Sequence, residues 1–216
     1  MTRWQREPAQ PRKLAKQGRS RLLMQSIREA AVEMIRRDGA DHITAIGIAE
    51  RAGVSVGSFY QYYPNTEAVL TDIYEHILDR LNQRMATELA TTGGGFDRSL
   101  DQSIRDGVVL TFSLHRELLA VDPSFYATFL KRFNVTDARG PDGERSWNEW
   151  SVGWFAQLLD THRQRLRHDD TAFVASFLVD VISGAVQRMA AERPEALDDP
   201  RVTQHVCDLI RRYLLE

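Results

Sequence analysis

The 216-residue chain is poor in cysteine and in long apolar runs, and each shortage excludes a class of protein. Its one cysteine, Cys207, cannot build a disulfide framework within the chain or a cysteine-based zinc site. No apolar run approaches the roughly 20 residues that cross a bilayer, and the basic first residues lack the apolar core of a signal peptide. We therefore expect a protein of the reducing cytoplasm, without a membrane partner.

Short motifs that carry catalysis are also missing. None of the six histidines forms a His-Glu-x-x-His pattern, and there is no Cys-x-x-Cys, nucleophile elbow or dinucleotide-binding glycine fingerprint. The glycine run at 93–95 lacks the Gly-Lys-Ser/Thr that completes a phosphate-binding loop. We expect no catalytic residues, no metal and no cofactor; a helical enzyme that binds a small molecule is the least favoured alternative.

The charge of the chain is distributed unevenly. Residues 1–37 hold ten Lys and Arg against three acids, a net charge of +7, whereas the whole chain carries −2 and the other 179 residues therefore −9. Charge alone leaves two interpretations of this basic arm open, a tail that binds phosphate or a solubilising tail without a partner. With 43% hydrophobic against 27% charged residues, the chain as a whole is not disordered.

Apolar residues recur at helical spacing along most of the chain, and no stretch shows the alternation typical of strands. The first helix begins near Ser20 and ends at Asp38-Gly39, where glycine suits a left-handed cap. The pattern therefore predicts an all-α protein. The later helices are predicted over 45–52, 56–62, Asn65 to about Thr91, 97–119, 123–134, 144–168, 170–192 and 200–215.

The two shortest helices, joined through Ala-Gly-Val-Ser, form a helix-turn-helix pattern. Thr44 and Ser55 can cap them, and Phe59 and Tyr63 can pack inward, which leaves a polar and aromatic face outside. Hydroxyl groups on such a face can reach phosphates and a glutamine can pair with adenine, although spacing alone also fits an ordinary helical hairpin. The candidate DNA-binding residues are Thr44, Ser55, Val56, Gly57, Ser58, Tyr60, Gln61 and Tyr62.

Residues 44–70 closely resemble the N-terminal domain of the TetR family of bacterial transcriptional regulators. The resemblance rests on Ile-Ala-Glu-Arg-Ala-Gly-Val-Ser at 48–55 and Tyr-Pro-Asn at 63–65, and it extends from about Ser20 to Leu81. Thr66 departs from the family, which usually has lysine at this position. The departure removes an expected phosphate contact, for which the basic arm can compensate.

The resemblance implies an all-α homodimer with helix-turn-helix heads and a divergent body that binds a ligand. Residues 1–18 are then a basic, flexible arm, 19–65 the DNA-binding domain, and 66–216 the connecting helix with the ligand-binding and dimerisation domain. In the family, a small molecule in the body shifts the fourth helix and releases the operator. The expected function is a ligand-responsive repressor that binds a palindromic double-stranded operator as a dimer. The alternative is a constitutive dimeric DNA-binding protein without an effector.

Two trios of aromatic residues in the middle of the chain are spaced by three or four positions, so that each trio shares one helix face. Core or interface packing explains any one of them more simply, but together they favour a cavity for an apolar or aromatic effector. His115, Arg116 and Lys131 can supply a polar anchor, although a solvated surface position is the simpler expectation for each. The candidate ligand-binding residues are Phe112, His115, Phe125, Phe129, Phe133, Trp147, Trp150 and Trp154.

The last two predicted helices carry apolar stripes with small residues that permit close helix approach. The TetR resemblance favours pairing of these helices between two copies in a four-helix bundle, and packing within one chain is the competing explanation. Cys207 is expected to be a small packed residue rather than a redox sensor. The candidate dimer-interface residues are Phe173, Phe177, Val181, Gly184, Val206 and Ile210.

Overall fold

The computed structural model describes residues 9–12, 18–91, 96, 98–132, 140–142 and 144–215, and within these ranges the side chains of 18–19, 88–91 and 128–132 are not described. The described residues form α-helices joined by turns and contain no β-strand, so the prediction of an all-α protein is confirmed. The helices are α1 (Gly18–Asp38), α2 (Ala45–Arg51), α3 (Val56–Tyr62), α4 (Thr66–Thr91), α5 (Leu100–Leu119), α6 (Pro123–Arg132), α7 (Trp147–Thr161), α8 (Thr171–Glu192) and α9 (Pro200–Leu215).

The chain forms two compact units. The first unit comprises Met1–Leu78 and Leu118–Phe133, and the second comprises Asp79–Glu117 and Asn134–Glu216. Helix α4 therefore contributes residues to both units. The first unit contains α1 to α3 and α6, and the second contains α7 to α9 with most of α5.

The helix ends of the first unit form where the sequence predicts them. Thr44 Oγ1 accepts a hydrogen bond from Gly47 N at 3.1 Å, and Ser55 Oγ accepts one from Ser58 N at 3.0 Å, so both predicted N-caps are present. Gly39 and Gly53 have φ of 88° and 68°. A residue without Cβ takes these values without strain, which lets the chain reverse between successive helices.

Two helices of the second unit are shorter than their periodicity predicts. Helix α5 begins at Leu100 rather than 97, because the Ser99 hydroxyl accepts a hydrogen bond from Gln102 N at 3.2 Å and caps the helix there. Helix α7 spans only Trp147–Thr161 of the predicted 144–168. Ser146 and Glu149 form a reciprocal capping box at its start.

The segment that follows α7 forms hydrogen bonds with α9 instead of continuing the helix. The backbone N–H of Arg167 donates to Leu214 O at 2.9 Å, and the His168 ring lies 3.1 Å from Tyr213 O. These contacts use carbonyls in the last turn of α9 that have no partner within that helix. The apolar and polar spacing of the segment gives no sign of this long-range pairing, so the predicted extension of α7 to residue 168 was wrong.

Helix α8 is long and largely apolar, although Asp180 and Arg188 interrupt its apolar stretches. Within the described residues it is one helix whose length and apolar composition are sufficient for a membrane span, with a mean hydropathy of 1.4. Only 22% of its apolar window is buried within the single chain. Much of its apolar surface is therefore unburied in one copy of the protein.

Candidate nucleic-acid interface and ligand cavity

Helix α3 presents a polar and aromatic face outward and anchors itself through two aromatic side chains. Phe59 and Tyr63 are fully buried, whereas 42% of Tyr60 is exposed and Gln61 is also exposed. The other candidate DNA-binding residues are exposed, except for Ser58 and Tyr62, which are half-buried. The local geometry therefore leaves Tyr60 and Gln61 free to approach a groove.

Tyr62 differs from Tyr60 in what its hydroxyl does. Its oxygen lies 3.1 Å from Ser20 Oγ on α1, within the first unit, so this phenol is already hydrogen-bonded. Sequence reasoning also passed over Ile46, which is an exposed apolar residue in the first turn of α2. Amphipathic spacing did not single out Ile46, because it lies outside the buried stripe.

A buried polar network fixes the end of α3 to α1 and α4. The Tyr63 hydroxyl donates to the Asp72 carboxylate, and Arg28 Nη1 donates to Asp72 Oδ2 at 3.0 Å. Burial raises the pKa of the Tyr63 phenol well above its usual range, with the Asp72 charge adding to the effect. The phenol therefore stays protonated and keeps donating, which holds the end of α3 against α4.

The second unit contains a cavity of about 190 Å³. Its most distinctive wall is a row of indoles on α7: the ring centroids of Trp147 and Trp150 lie 5.9 Å apart, and those of Trp150 and Trp154 lie 6.3 Å apart at 18°. Phe96 stacks on Trp154 at 6.0 Å and 27°. The three tryptophans all line the cavity, and they offer flat apolar surface to an occupant.

The lining of the cavity also includes a buried histidine and an ion pair among its polar groups. His115 lies on its wall and is only 3% exposed, so the expectation that it sits on the surface was wrong. Burial lowers the pKa of His115 to about 4, which leaves its ring neutral near pH 7. Arg98 and Asp106 also line the cavity and form an ion pair, and Gln102 Nε2 donates to Asp106 Oδ1 at 2.8 Å.

Two of the candidate ligand-binding residues lie elsewhere. Phe112 and Phe125 are buried but are not among the described residues that line the cavity, and Phe125 belongs to the first unit. Helical spacing identifies a buried face, but it cannot distinguish a face that fills a core from one that borders a void. The Phe129 side chain and Phe133 lie outside the described residues.

The candidate dimer-interface residues of α8 are exposed in the single chain. The exposed fraction is 63% for Phe173, and Phe177 and Val181 are also exposed. Phe173 and Phe177 stack with centroids 6.3 Å apart, and a Cβ at Gly184 would meet no atom within 4 Å. This stripe leaves a large apolar area in contact with water.

One candidate dimer-interface residue on α9 is buried instead of exposed. Ile210 is 2% exposed and lines the cavity, so it cannot contact a second copy, and this prediction was wrong. Its neighbour Leu209 is 58% exposed, and Val206 is half-buried. Ile210 and Leu209 both belong to the broad apolar face of α9. The packing of the second unit decides which of these side chains is covered. Burial raises the pKa of the nearby Cys207 thiol, which disfavours the reactive thiolate.

The described fold is that of an all-helical protein with an N-terminal helix-turn-helix and a helical body that holds a cavity. Residues 27–73 match the family described as bacterial regulatory proteins of the tetR family, and residues 99–214 match the tetracyclin repressor-like C-terminal domain. The chain therefore belongs to the TetR family of DNA-binding helix-turn-helix regulators.

Several relatives share parts of this sequence or its fold. The fatty acid metabolism regulator protein of Bacillus subtilis is 28% identical over 94 residues, which are 44% of each protein, so the match spans less than half of that relative. SmeT, the repressor of the Stenotrophomonas maltophilia multidrug efflux pump SmeDEF, superposes with a TM-score of 0.55 at 19% identity, over 89% of this chain and 90% of SmeT. Thermus thermophilus FadR, solved in complex with lauroyl-CoA, superposes with a TM-score of 0.53 at 24% identity, over 89% and 95%.

Proposed function

We propose that the protein is a ligand-responsive repressor that binds a palindromic operator as a homodimer and releases it when a small apolar or aromatic effector enters the second unit. The carrying observation is the row of three indoles on the wall of the cavity, in a chain that belongs to a family of transcriptional regulators. Cavities of this composition take ligands that are mostly apolar with a few polar anchors.

DNA reading is assigned to the outward face of α3. Gln61 can pair with adenine at its N6 and N7 atoms, and the exposed Tyr60 hydroxyl can reach a phosphate. In a dimer, two copies of α3 must lie about 34–36 Å apart, or a multiple of this, to enter successive major-groove faces. An effector that changes this spacing weakens binding without touching any base contact.

The free energy for release comes from the effector's preference for one conformation. An effector that binds the released conformation more tightly shifts the population toward it, and a 100-fold preference corresponds to about 2.7 kcal/mol. The fatty acid metabolism regulator of B. subtilis and the T. thermophilus FadR complex point to acyl compounds as a second class of effector. The stacked indoles of this chain favour a planar aromatic compound.

The operator is found by selecting bound duplexes from a random DNA pool with the purified full-length protein. We expect a sequence with two-fold symmetry. Gln61→Ala should then cost about 1–3 kcal/mol at one base position, whereas Tyr60→Ala should weaken binding to every sequence. Equal binding by both variants and the parent would contradict the assignment of α3 to the groove.

The effector class is tested on the selected operator with a flat aromatic probe such as 1-naphthol and, separately, with lauroyl-CoA. We expect the aromatic probe to quench tryptophan fluorescence and to dissociate the DNA complex. Trp150→Leu should lose the response while retaining DNA binding. Release by lauroyl-CoA alone would identify an acyl effector, and ligands that bind without affecting the DNA complex would favour the constitutive alternative.

A further inference from the structure

The N-terminal segment 9–12 lies against the end of the recognition helix, within the first unit. The backbone N–H of Arg12 donates to Tyr62 O at 2.7 Å, and its Nη1 donates to Tyr60 O at 3.3 Å. Gln10 Nε2 donates to Glu75 Oε1 on α4 at 3.1 Å. A four-residue segment thus joins the last turn of α3 to the helix that follows it.

The sequence after α3 leaves a backbone carbonyl of this helix without its usual helical donor. In a continuing helix, the carbonyl of Tyr60 would accept from the backbone nitrogen of residue 64, but residue 64 is proline and has no N–H to donate. The Arg12 guanidinium supplies a donor to this carbonyl from a distant part of the chain. The Tyr62 carbonyl, at the last residue of the helix, receives the Arg12 backbone N–H in the same way.

The positive charge of Arg12 is also favourable at the C-terminal end of α3. Aligned peptide dipoles leave partial negative charge at the C-terminal end of a helix, and a cation there is favourable. Helix α3 has only seven residues and no basic residue in its last turn, so it has no cation of its own there. A helix this short gains most of its order from tertiary contacts rather than from its own hydrogen bonds.

We propose that Arg12 is a positioning residue for operator recognition, and that residues 9–12 form a clamp that holds the C-terminal turn of α3. The proposal rests on the proposed function, since it concerns the helix assigned to read DNA. The exposed residues that would face the groove, Tyr60 and Gln61, lie in the turn that the clamp holds. Arg12 then sharpens discrimination between base sequences by ordering that turn, instead of neutralising a phosphate.

The first test needs no DNA. In the full-length protein, Arg12→Ala should speed hydrogen exchange of the amides at 59–63 by about fivefold, because one hydrogen bond to a charged group orders that turn. The control is Arg37→Ala, which removes an exposed arginine of the same unit that pairs with Asp38 at the end of α1. It should leave exchange in α3 unchanged. Unchanged exchange in Arg12→Ala overturns the clamp, whether or not the protein binds DNA.

The second test measures affinity against salt on the selected operator. If Arg12 is a positioning residue, Arg12→Ala should lower the affinity for the operator about three- to tenfold. It should also reduce the ratio of the affinity for the operator to the affinity for a duplex changed at the base pair assigned to Gln61. The slope of log affinity against log salt concentration, here called the salt slope, should stay the same. Loss of a phosphate contact would instead reduce the slope by about 0.9 with the preference intact, which would overturn the proposal. If no duplex is selected at all, the proposed function fails while the exchange measurement still decides the clamp.

Discussion

At the scale of single residues, His115 shows how burial changes the chemistry of a side chain. A histidine on a mixed helix such as α5 resembles a surface residue in the sequence, yet the cavity wall encloses it. Its ring is held neutral because the charged form would lose its hydration. A neutral imidazole can donate one hydrogen bond and accept one.

The lowered pKa of His115 predicts a specific dependence of stability on pH. Between its folded pKa of about 4 and the usual 6.5, the unfolded state binds a proton that the folded state does not. The free energy of unfolding therefore falls as the pH drops through this window, by about 2–3 kcal/mol from pH 7 to 4.5. Urea unfolding should show that His115→Leu loses this part of the acid sensitivity.

His205 provides the matched control, because it is exposed on α9. His205→Leu should keep the acid sensitivity of the parent protein over the same pH range. If His115→Leu and the parent lose equal free energy of unfolding between pH 7 and 4.5, then His115 is not the buried neutral group described above.

At the scale of elements, the cap of α3 allows the proposed contact with DNA to be tested separately from stability. Ser55 ends the turn of the helix-turn-helix and pairs with Ser58 N, so its hydroxyl organises the first turn of α3. Aspartate caps a helix as well as serine does, but it brings a negative charge. Replacing serine by aspartate therefore separates the structural role of the cap from the proposed contact with phosphate.

We expect Ser55→Asp to retain the thermal stability of the parent within about 0.5 kcal/mol and to lose most operator affinity, because a carboxylate would face phosphates. Ser99→Asp is the control, since Ser99 caps α5 in the second unit through Gln102 N. It should preserve both stability and DNA binding. Fluorescence anisotropy with the selected operator measures the affinity, and strong binding by Ser55→Asp would show that the start of α3 does not approach the DNA backbone.

At the scale of the whole molecule, the exposed apolar stripe on α8 is the surface through which we propose that two copies pair. Phe173→Glu places a charge in the middle of exposed apolar surface, and we expect it to shift the protein toward monomer in sedimentation velocity. Operator affinity should fall as well, since two linked heads bind far better than one. Val109→Glu, at an exposed position on α5, is the control and should remain dimeric. A monomeric parent protein would refute the interface.

The basic arm also acts on the whole molecule, because its positive charges contribute to the electrostatic attraction between the protein and DNA. Residues 1–8 include Arg3 and Arg6 and lie before the clamp. Deleting residues 1–8 should reduce the salt slope of operator binding by about 1–2 while leaving hydrogen exchange in α3 as in the parent. The slope is obtained from titrations at several salt concentrations, and an unchanged slope would mean that these arginines do not reach DNA.

Features with local signals could be predicted from the amino-acid sequence. Caps at Thr44 and Ser55, the positive φ of Gly39, and the inward anchors Phe59 and Tyr63 depend on residues within a few positions of one another. The TetR motif at 48–55 identified the family from sequence alone, because the helix-turn-helix is a short contiguous unit. The all-α fold followed from helical periodicity in the same way.

Features that depend on contacts between distant segments could not be predicted, because they arise when the chain packs. The tryptophan row lines a cavity while Phe125 fills the first unit, and Ile210 faces inward while Leu209 faces out. Periodicity marks an apolar face but not what covers it. The hydrogen bonds of Arg12 to the end of α3 join residues nearly fifty positions apart, and no local pattern in the sequence specifies such a pairing.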